Sequence, residues 1–375
     1  MLYLTSCQND SNKSENASEI ESEYFDDYES PKYKWGFIDT NGEIVINPVY
    51  DDLKDFAGGL AATNFEGRWG YIDEKGKEAI SFKYKQAYNF GDEGVTFVQD
   101  FENKWLLINI SGNELDSLPY NELNSYTEGL AVFTDKGMKG LLDVQGKVVA
   151  AASYQSINVI SNSVFIGRKY GSYSVMDIAG KKLTDNEYDR ISSPQGGFFR
   201  AKKDGMYVFL DANSYKEIGP SKYKESFDFT YDNTVVRDEN GYLLINKSMQ
   251  PLKRLPYRKV KPLGYKRWKY KNDGQWGILS GDGDIITEEK YDLLHRYFDN
   301  RLAYGINDRW GYLDQNGVPI IGGDLALIWD FFDGRARMIG RRGVGFIDTS
   351  GRMVIPDIFF EVRDFHNGLA RFQTF

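Results

Sequence analysis

Trp35-Gly36-Phe37-Ile38-Asp39-Thr40-Asn41-Gly42 decides how the rest of the chain is read, because its register returns at Trp69 and again at Trp310. Stepping outward from Trp35, equivalent positions fall at Trp69, Trp105, Lys139, Tyr173, Tyr207, Tyr242, Trp276, Trp310 and Val344, spaced 34 to 36 residues apart. A sustained period of this length marks a tandem array whose units bury their apolar faces against one another. Three residues past each anchor stands an aliphatic side chain or Met, from Ile38 and Ile72 to Leu313 and Ile347. Four past it stands Asp in seven units (Asp39, Asp73, Asp143, Asp177, Asp211, Asp314, Asp348), with Asn109, Asn246 and Ser280 in the others. Gly follows seven past the anchor in eight units.

Asp, two loose residues and Gly make a tight turn, since Asp bonds nearby backbone N–H groups and Gly accepts positive φ. An apolar run, this turn and a second run such as Ile44-Val45-Ile46 read as a β-hairpin. Another run precedes the anchor, as in Leu130-Ala131-Val132-Phe133, so each unit is expected to be a three-stranded antiparallel meander. Tyr recurs 15 residues after the anchor at Tyr50, Tyr84, Tyr120, Tyr154, Tyr188, Tyr257 and Tyr291. Both faces of the anchor strand are apolar, and a strand buried on both faces needs neighbours on both sides. The fold class is therefore all-β.

Trp35 to Gly42, Trp69-Gly70-Tyr71-Ile72-Asp73-Glu74-Lys75-Gly76 and Trp310-Gly311-Tyr312-Leu313-Asp314-Gln315-Asn316-Gly317 resemble the WG repeat (KWG repeat) family of bacterial proteins. The resemblance covers roughly residues 33–375. Units four to seven depart from it, with Lys139, Tyr173, Tyr207 and Tyr242 in place of Trp. It implies a β-rich tandem repeat and carries no shared catalytic residue or cofactor. An open, curved superhelix is expected, with a closed propeller-like ring as the alternative, because 34 residues is short for a propeller blade and ten exceeds the usual ~4–8.

Composition agrees. Among 375 residues are 24 Phe, 26 Tyr and 7 Trp, enough to bury a large core, and a single Cys rules out a disulfide framework. The mean hydropathy of −0.52 comes without an apolar run long enough for a membrane-spanning helix. Three segments are expected: 1–7, the remnant of a lipoprotein signal; 8–31, an acidic disordered linker; and 32–375, the repeat array. Leu4-Thr5-Ser6-Cys7 resembles a bacterial lipobox, with Cys7 as the lipidated residue, although Met1 to Leu4 is too short for a signal's apolar region. The start is therefore expected upstream, and the protein in the cell envelope, membrane-anchored through Cys7. Between Gln8 and Ser30, eight carboxylates face one Lys, a self-repelling tether; the remainder is nearly neutral, which argues against nucleic acid as partner.

No catalytic constellation is expected. His295 and His366 belong to different units, and the glycines from Gly140 to Gly146 sit in ordinary repeat positions with Val148 where a phosphate loop needs Ser or Thr. Asp282 and Asp284 flank a turn glycine and are too few for a calcium loop. The Asp column is read as turn chemistry rather than a metal ladder.

In a repeat protein the scaffold recurs and a binding site breaks the pattern. Early units fill one face of the strand before the anchor with Leu60/Ala62, Thr96/Val98, Leu130/Val132 and Val164/Ile166. Later units make it basic: Arg267/Lys269, Arg301, Arg335/Arg337 and Arg371. Residues 251–271 hold nine Lys and Arg without an acid. Trp268 shares a column with Ala61 and Phe97 and is assigned to the core. The six basic residues are expected to form a contiguous stripe that binds a protein or an anionic glycan, without catalysis, cofactor or metal. A degenerate enzyme or a purely structural spacer are the alternatives.

Overall fold

The expected runs are strands, and most units add a short fourth strand that periodicity cannot reveal. In the computed structural model, which describes residues 32–374 apart from Ala326 and Ile328, the described residues form ten antiparallel sheets and no helix. Eight sheets have four strands and two have three. Unit two shows the pattern in Asp52–Leu53, Leu60–Phe65, Arg68–Asp73 and Glu78–Tyr84, each antiparallel to the next. A two-residue strand is too short to alternate, so no hydrophobic pattern announces it. Units are numbered below as blades 1 to 10 by their anchors, Trp35 to Val344.

Blade 1 settles the arrangement. Trp35–Asp39 pairs with Ile44–Tyr50 on one side and on the other with Leu369–Gln373, in register from Trp35 opposite Gln373 to Asp39 opposite Leu369. Both ends of the array thus share one sheet, and the ring is closed as a ten-bladed propeller. The open superhelix is corrected to the closed alternative. An open array would leave an unpaired strand edge at each end, whereas the offset ends here are the complementary parts of a single sheet.

The short unit has a physical reason as well. At several boundaries one residue separates the fourth strand of a blade from the first strand of the next, as at Asp51, Lys85 and Asp292. No long crossover is needed, so 34 residues suffice for a blade. Some of these link residues also act through their side chains. Asp51, Gln155, Asp189 and Asp292 accept backbone N–H bonds from Gly67, Gly171, Gly205 and Asn307 at the neighbouring hairpin turns.

The core lies between successive sheets. Phe37 packs with Ile46, Leu53, Ala61 and Ile72, while Ile38, on the opposite face, packs with Phe346, Phe359 and Phe372 across the ring closure. Trp268 is buried, as its column requires. The recurrent turn glycine serves twice. Gly42 has φ +85°, and a Cβ there would meet Ile355 of blade 10 at 2.9 Å. A glycine is thus fixed both by backbone conformation and by close approach of the preceding blade.

Candidate functional site

Most recurrent polar groups are consumed by the scaffold. Asp39 Oδ1 accepts from the N–H groups of Asn41 and Glu43, both at 2.9 Å, and Asp314 repeats the bond pattern with Asn316 and Val318, both at 2.8 Å. Asn109 and Ser280 make the same paired bonds, which explains their exchange with Asp. Among the described residues no group of three or more His, Cys, Asp or Glu could hold a metal ion.

The structure does not lay the six basic residues out as one open stripe. Arg267, Arg301 and Arg335 open their strands and reach forward into the next blade. Their Nε atoms donate to the carbonyls of Gln315 (3.1 Å), Thr349 (3.0 Å) and Thr40 (3.3 Å), each the residue after the turn Asp. The last of these crosses the ring closure. They are inter-blade braces.

Two residues along the same strands a second brace appears. Arg371 forks around Asp55 of blade 2 at 2.7 and 3.4 Å and donates to the Leu53 carbonyl at 2.9 Å. Arg337 does the same to Asp364, at 2.7 and 3.1 Å, and to the Val362 carbonyl at 3.4 Å. Arg200, which the sequence reading passed over, pairs with Asp228 at 3.2 Å and bonds the Ser226 carbonyl at 2.7 Å. In each case the carbonyl belongs to the next blade's short first strand and the carboxylate stands two residues later.

Lys269 keeps the carbonyl half of this brace and loses the acid. Its Nζ donates to the Leu294 carbonyl at 2.6 Å, and the residue two beyond Leu294 is Arg296. Lys261 stands directly opposite Lys269 across the strand pair, and Lys259 directly opposite Lys271. Like charges so placed are destabilising. Nearby, the Nζ atoms of Lys269 and Lys271 lie 4.8 and 4.7 Å from the Trp276 ring centroid. Burial, and after it the charges of Lys261, Arg296, Lys259 and Lys271, pushes the Lys269 ammonium down to about 8.

These residues open onto a cavity of about 460 Å³ centred on blades 8 and 9, with Phe227 of blade 7 and Asp330 of blade 10 at its edges. Its walls bring Lys261, Lys269, His295 and Arg296 together with Phe227, Pro262, Leu294 and Phe298, and Asp330 contributes the acid. His295 Nδ1 lies 3.9 Å from Asp330 and its ring meets Trp310 edge-on. Of the six candidates only Lys269 lines this cavity. Lys261 sits in the acid-free run noted above, whereas Arg296 and His295 were missed; the signal was the register position of Asp55, Asp228, Asp330 and Asp364, at which blade 9 alone carries a cation. His366 lies at the ring closure, its Nε2 3.9 Å from Asp55. Cys7 and the acidic segment lie outside the described residues.

The family model for the WG containing repeat matches at residues 35–69, 69–105, 173–207 and 345–374. No curated protein matches the chain. Among solved structures, a eukaryotic initiation factor aligns over 78% of this chain and 96% of its own, at 9% identity and TM-score 0.43. BamB from Moraxella catarrhalis aligns over 73% and 96%, at 14% identity and TM-score 0.31. The dihydro-heme d1 dehydrogenase NirN aligns over 70% of each chain, at 13% identity and TM-score 0.34. Likeness at this level carries no argument about ligand or activity.

Proposed function

Because this chain is a WG-repeat protein, we propose that its ring is a non-catalytic scaffold that binds an anionic glycan through the basic cavity between blades 8 and 9. One observation carries the reading. Where the second brace recurs with Arg it is matched by a carboxylate, and at this junction a cation takes the carboxylate's place and a cavity stands beside it. A charge pattern that costs stability in the free protein is accounted for when a ligand supplies the missing negative charge. The matching family is a repeat family, which supports a scaffold over an enzyme.

The proposed location is the cell envelope, with Cys7 acylated and residues 8–31 as tether. Two acyl chains make a durable anchor, whereas one is marginal. Cys7→Ser is expected to move the protein from the membrane fraction to the soluble one, and an unchanged distribution removes the anchor from this reading. Binding is tested by retention of the protein on an immobilised anionic polysaccharide against a neutral one. Selective, salt-sensitive retention is expected; equal passage through both columns ends the glycan reading.

A further inference from the structure

The second brace gives a reference for what the junction of blades 8 and 9 lacks. Where Arg200, Arg337 and Arg371 reach into the next blade, they find a backbone carbonyl and an Asp together. Lys269 finds the carbonyl alone, and Arg296 occupies the acid's register position. The side chains of Lys261 and Arg296 make no ion pair or hydrogen bond among the described residues, although Lys261 is half-buried. Among the described residues Asp330 is the only carboxylate in the cavity wall, and its near neighbour is His295. Lys261, Lys269 and Arg296 therefore leave a charge excess that a single carboxylate would not balance and a dianion would.

Size and apolar surface narrow the ligand further. About 460 Å³ falls at the lower end of small-molecule cavities, ~300–1,000 Å³, and suits a monosaccharide with a substituent. Phe227, Phe298 and Pro262 supply apolar wall, against which the C–H face of a sugar ring packs while its charged group meets the cations. The guanidinium of Arg296 offers a planar fork and the lysines offer movable point charges, a combination that fits the three oxygens of a phosphate group.

We propose that this cavity is a phosphate-monoester site that takes one phosphorylated sugar, its dianion standing among Lys261, Lys269 and Arg296 where blades 1, 2, 7 and 10 place an aspartate. The proposal rests on the glycan-binding reading and specifies its group. The sugar phosphate is either free or the terminus of a glycan, and both present the same chemistry.

The test uses the full chain and thermal unfolding with glucose 6-phosphate, a terminally phosphorylated oligosaccharide, glucose and galacturonate as probes. Either phosphorylated probe is expected to raise Tm in a dose-dependent way, with glucose and galacturonate inert at the same concentrations. Arg296→Asp places here the acid that Arg200, Arg337 and Arg371 meet at their own boundaries. It should raise Tm without ligand and weaken phosphate-ester binding at least about tenfold, the equivalent of about 1.4 kcal/mol. Lys261→Gln should likewise weaken binding and keep the fold. Arg341→Asp, the same charge change at an exposed side chain of blade 10, should leave binding as in the parent. Equal stabilisation by galacturonate, or equal binding by parent and Arg296→Asp, overturns the phosphate assignment. If the parent is retained on an anionic polysaccharide while both phosphorylated probes fail, the glycan reading stands and this one falls. If nothing anionic is retained, both fall.

Discussion

Two junctions in the ring are built on one plan and differ in one charge. Between blades 1 and 2, Arg371 meets the Leu53 carbonyl and Asp55. Between blades 8 and 9, Lys269 meets the Leu294 carbonyl and, in the acid's place, Arg296. The carbonyl contact is common to both, so it belongs to the scaffold. The carboxylate is separable from it, and where it is absent the strand pair carries Lys261 opposite Lys269. One junction is finished within the chain, and the other is left for something else to finish.

The largest effect is expected where the finished junction meets the ring closure. Deleting residues 369–375 removes the strand that pairs with Trp35–Asp39 and, with it, Arg371. Blade 1 then keeps two long strands and an exposed edge, and Phe372 leaves the cluster that joins Ile38 to Phe346. Loss of the cooperative unfolding transition is expected, followed by far-UV circular dichroism on heating. A truncated protein that unfolds at the parent's temperature would mean that closure contributes nothing and that the array behaves as an open one.

Exporting the difference should cost less but still substantially. Asp364→Arg places at the partner of Arg337 the residue that blade 9 carries at Arg296. Arg337 is largely buried, its fork would lose a bidentate partner, and two guanidinium groups would face each other. A loss of about 2–4 kcal/mol is expected, discounted from the cost of breaking a fully buried pair because Asp364 is 24% exposed. Urea denaturation measures it, and a cost below about 0.5 kcal/mol would sink the claim that the acid matters to the brace.

The comparison also shows what could be read from residues alone. The period, the hairpin turns and the two-faced burial of the anchor strand were legible because they depend on local patterns: an Asp that binds the N–H groups of its own turn, and a strand apolar at both Phe37 and Ile38. Closure was not, since the pairing of Trp35 with Gln373 joins residues hundreds apart and leaves no local trace beyond the offset ends. The basic column was legible as a column. Its partners were not: Arg335 bonds the Thr40 carbonyl, and a backbone acceptor has no sequence signature. The short first strands, two residues each in many blades, hid the position at which Asp55, Asp228 and Asp364 give way to Arg296.

Titration separates the two junctions by a smaller effect. At the junction of blades 8 and 9, Lys269 is held down to about 8 by burial first and then by Lys261, Arg296, Lys259 and Lys271, with His295 and Asp330 also in the cavity wall. A folded-state value below the unfolded one means that the ring disfavours the charged form. The penalty is complete below pH 8 and fades as the pH rises from about 8 towards 10.5. The parent should therefore gain stability relative to Lys269→Met across that window, measured by urea denaturation at pH 7 and pH 9.5. An anion holds the ammonium charged, so its binding should take up protons near pH 8 and weaken above it. Parallel stability profiles for parent and variant would show that Lys269 titrates as it does in water.

The smallest effect tests whether the difference is confined to the brace. Asp73 in blade 2 and Asp314 in blade 9 hold their turns with the same two bonds, to Lys75 and Lys77 at 2.9 Å and to Asn316 and Val318 at 2.8 Å. Both carboxylates are partly exposed, and neither belongs to the column in which Asp55 and Arg296 differ. Replacing either by Ala removes two acceptor contacts to N–H groups that water can reach, so each should cost about 0.5–1.5 kcal/mol. The two costs should agree within about 0.5 kcal/mol, since the sites are far apart and share no partner. A much larger cost at Asp314 would tie the turn of blade 9 to the basic cavity. The contrast between the junctions would then be a property of whole blades and not of one exchanged charge.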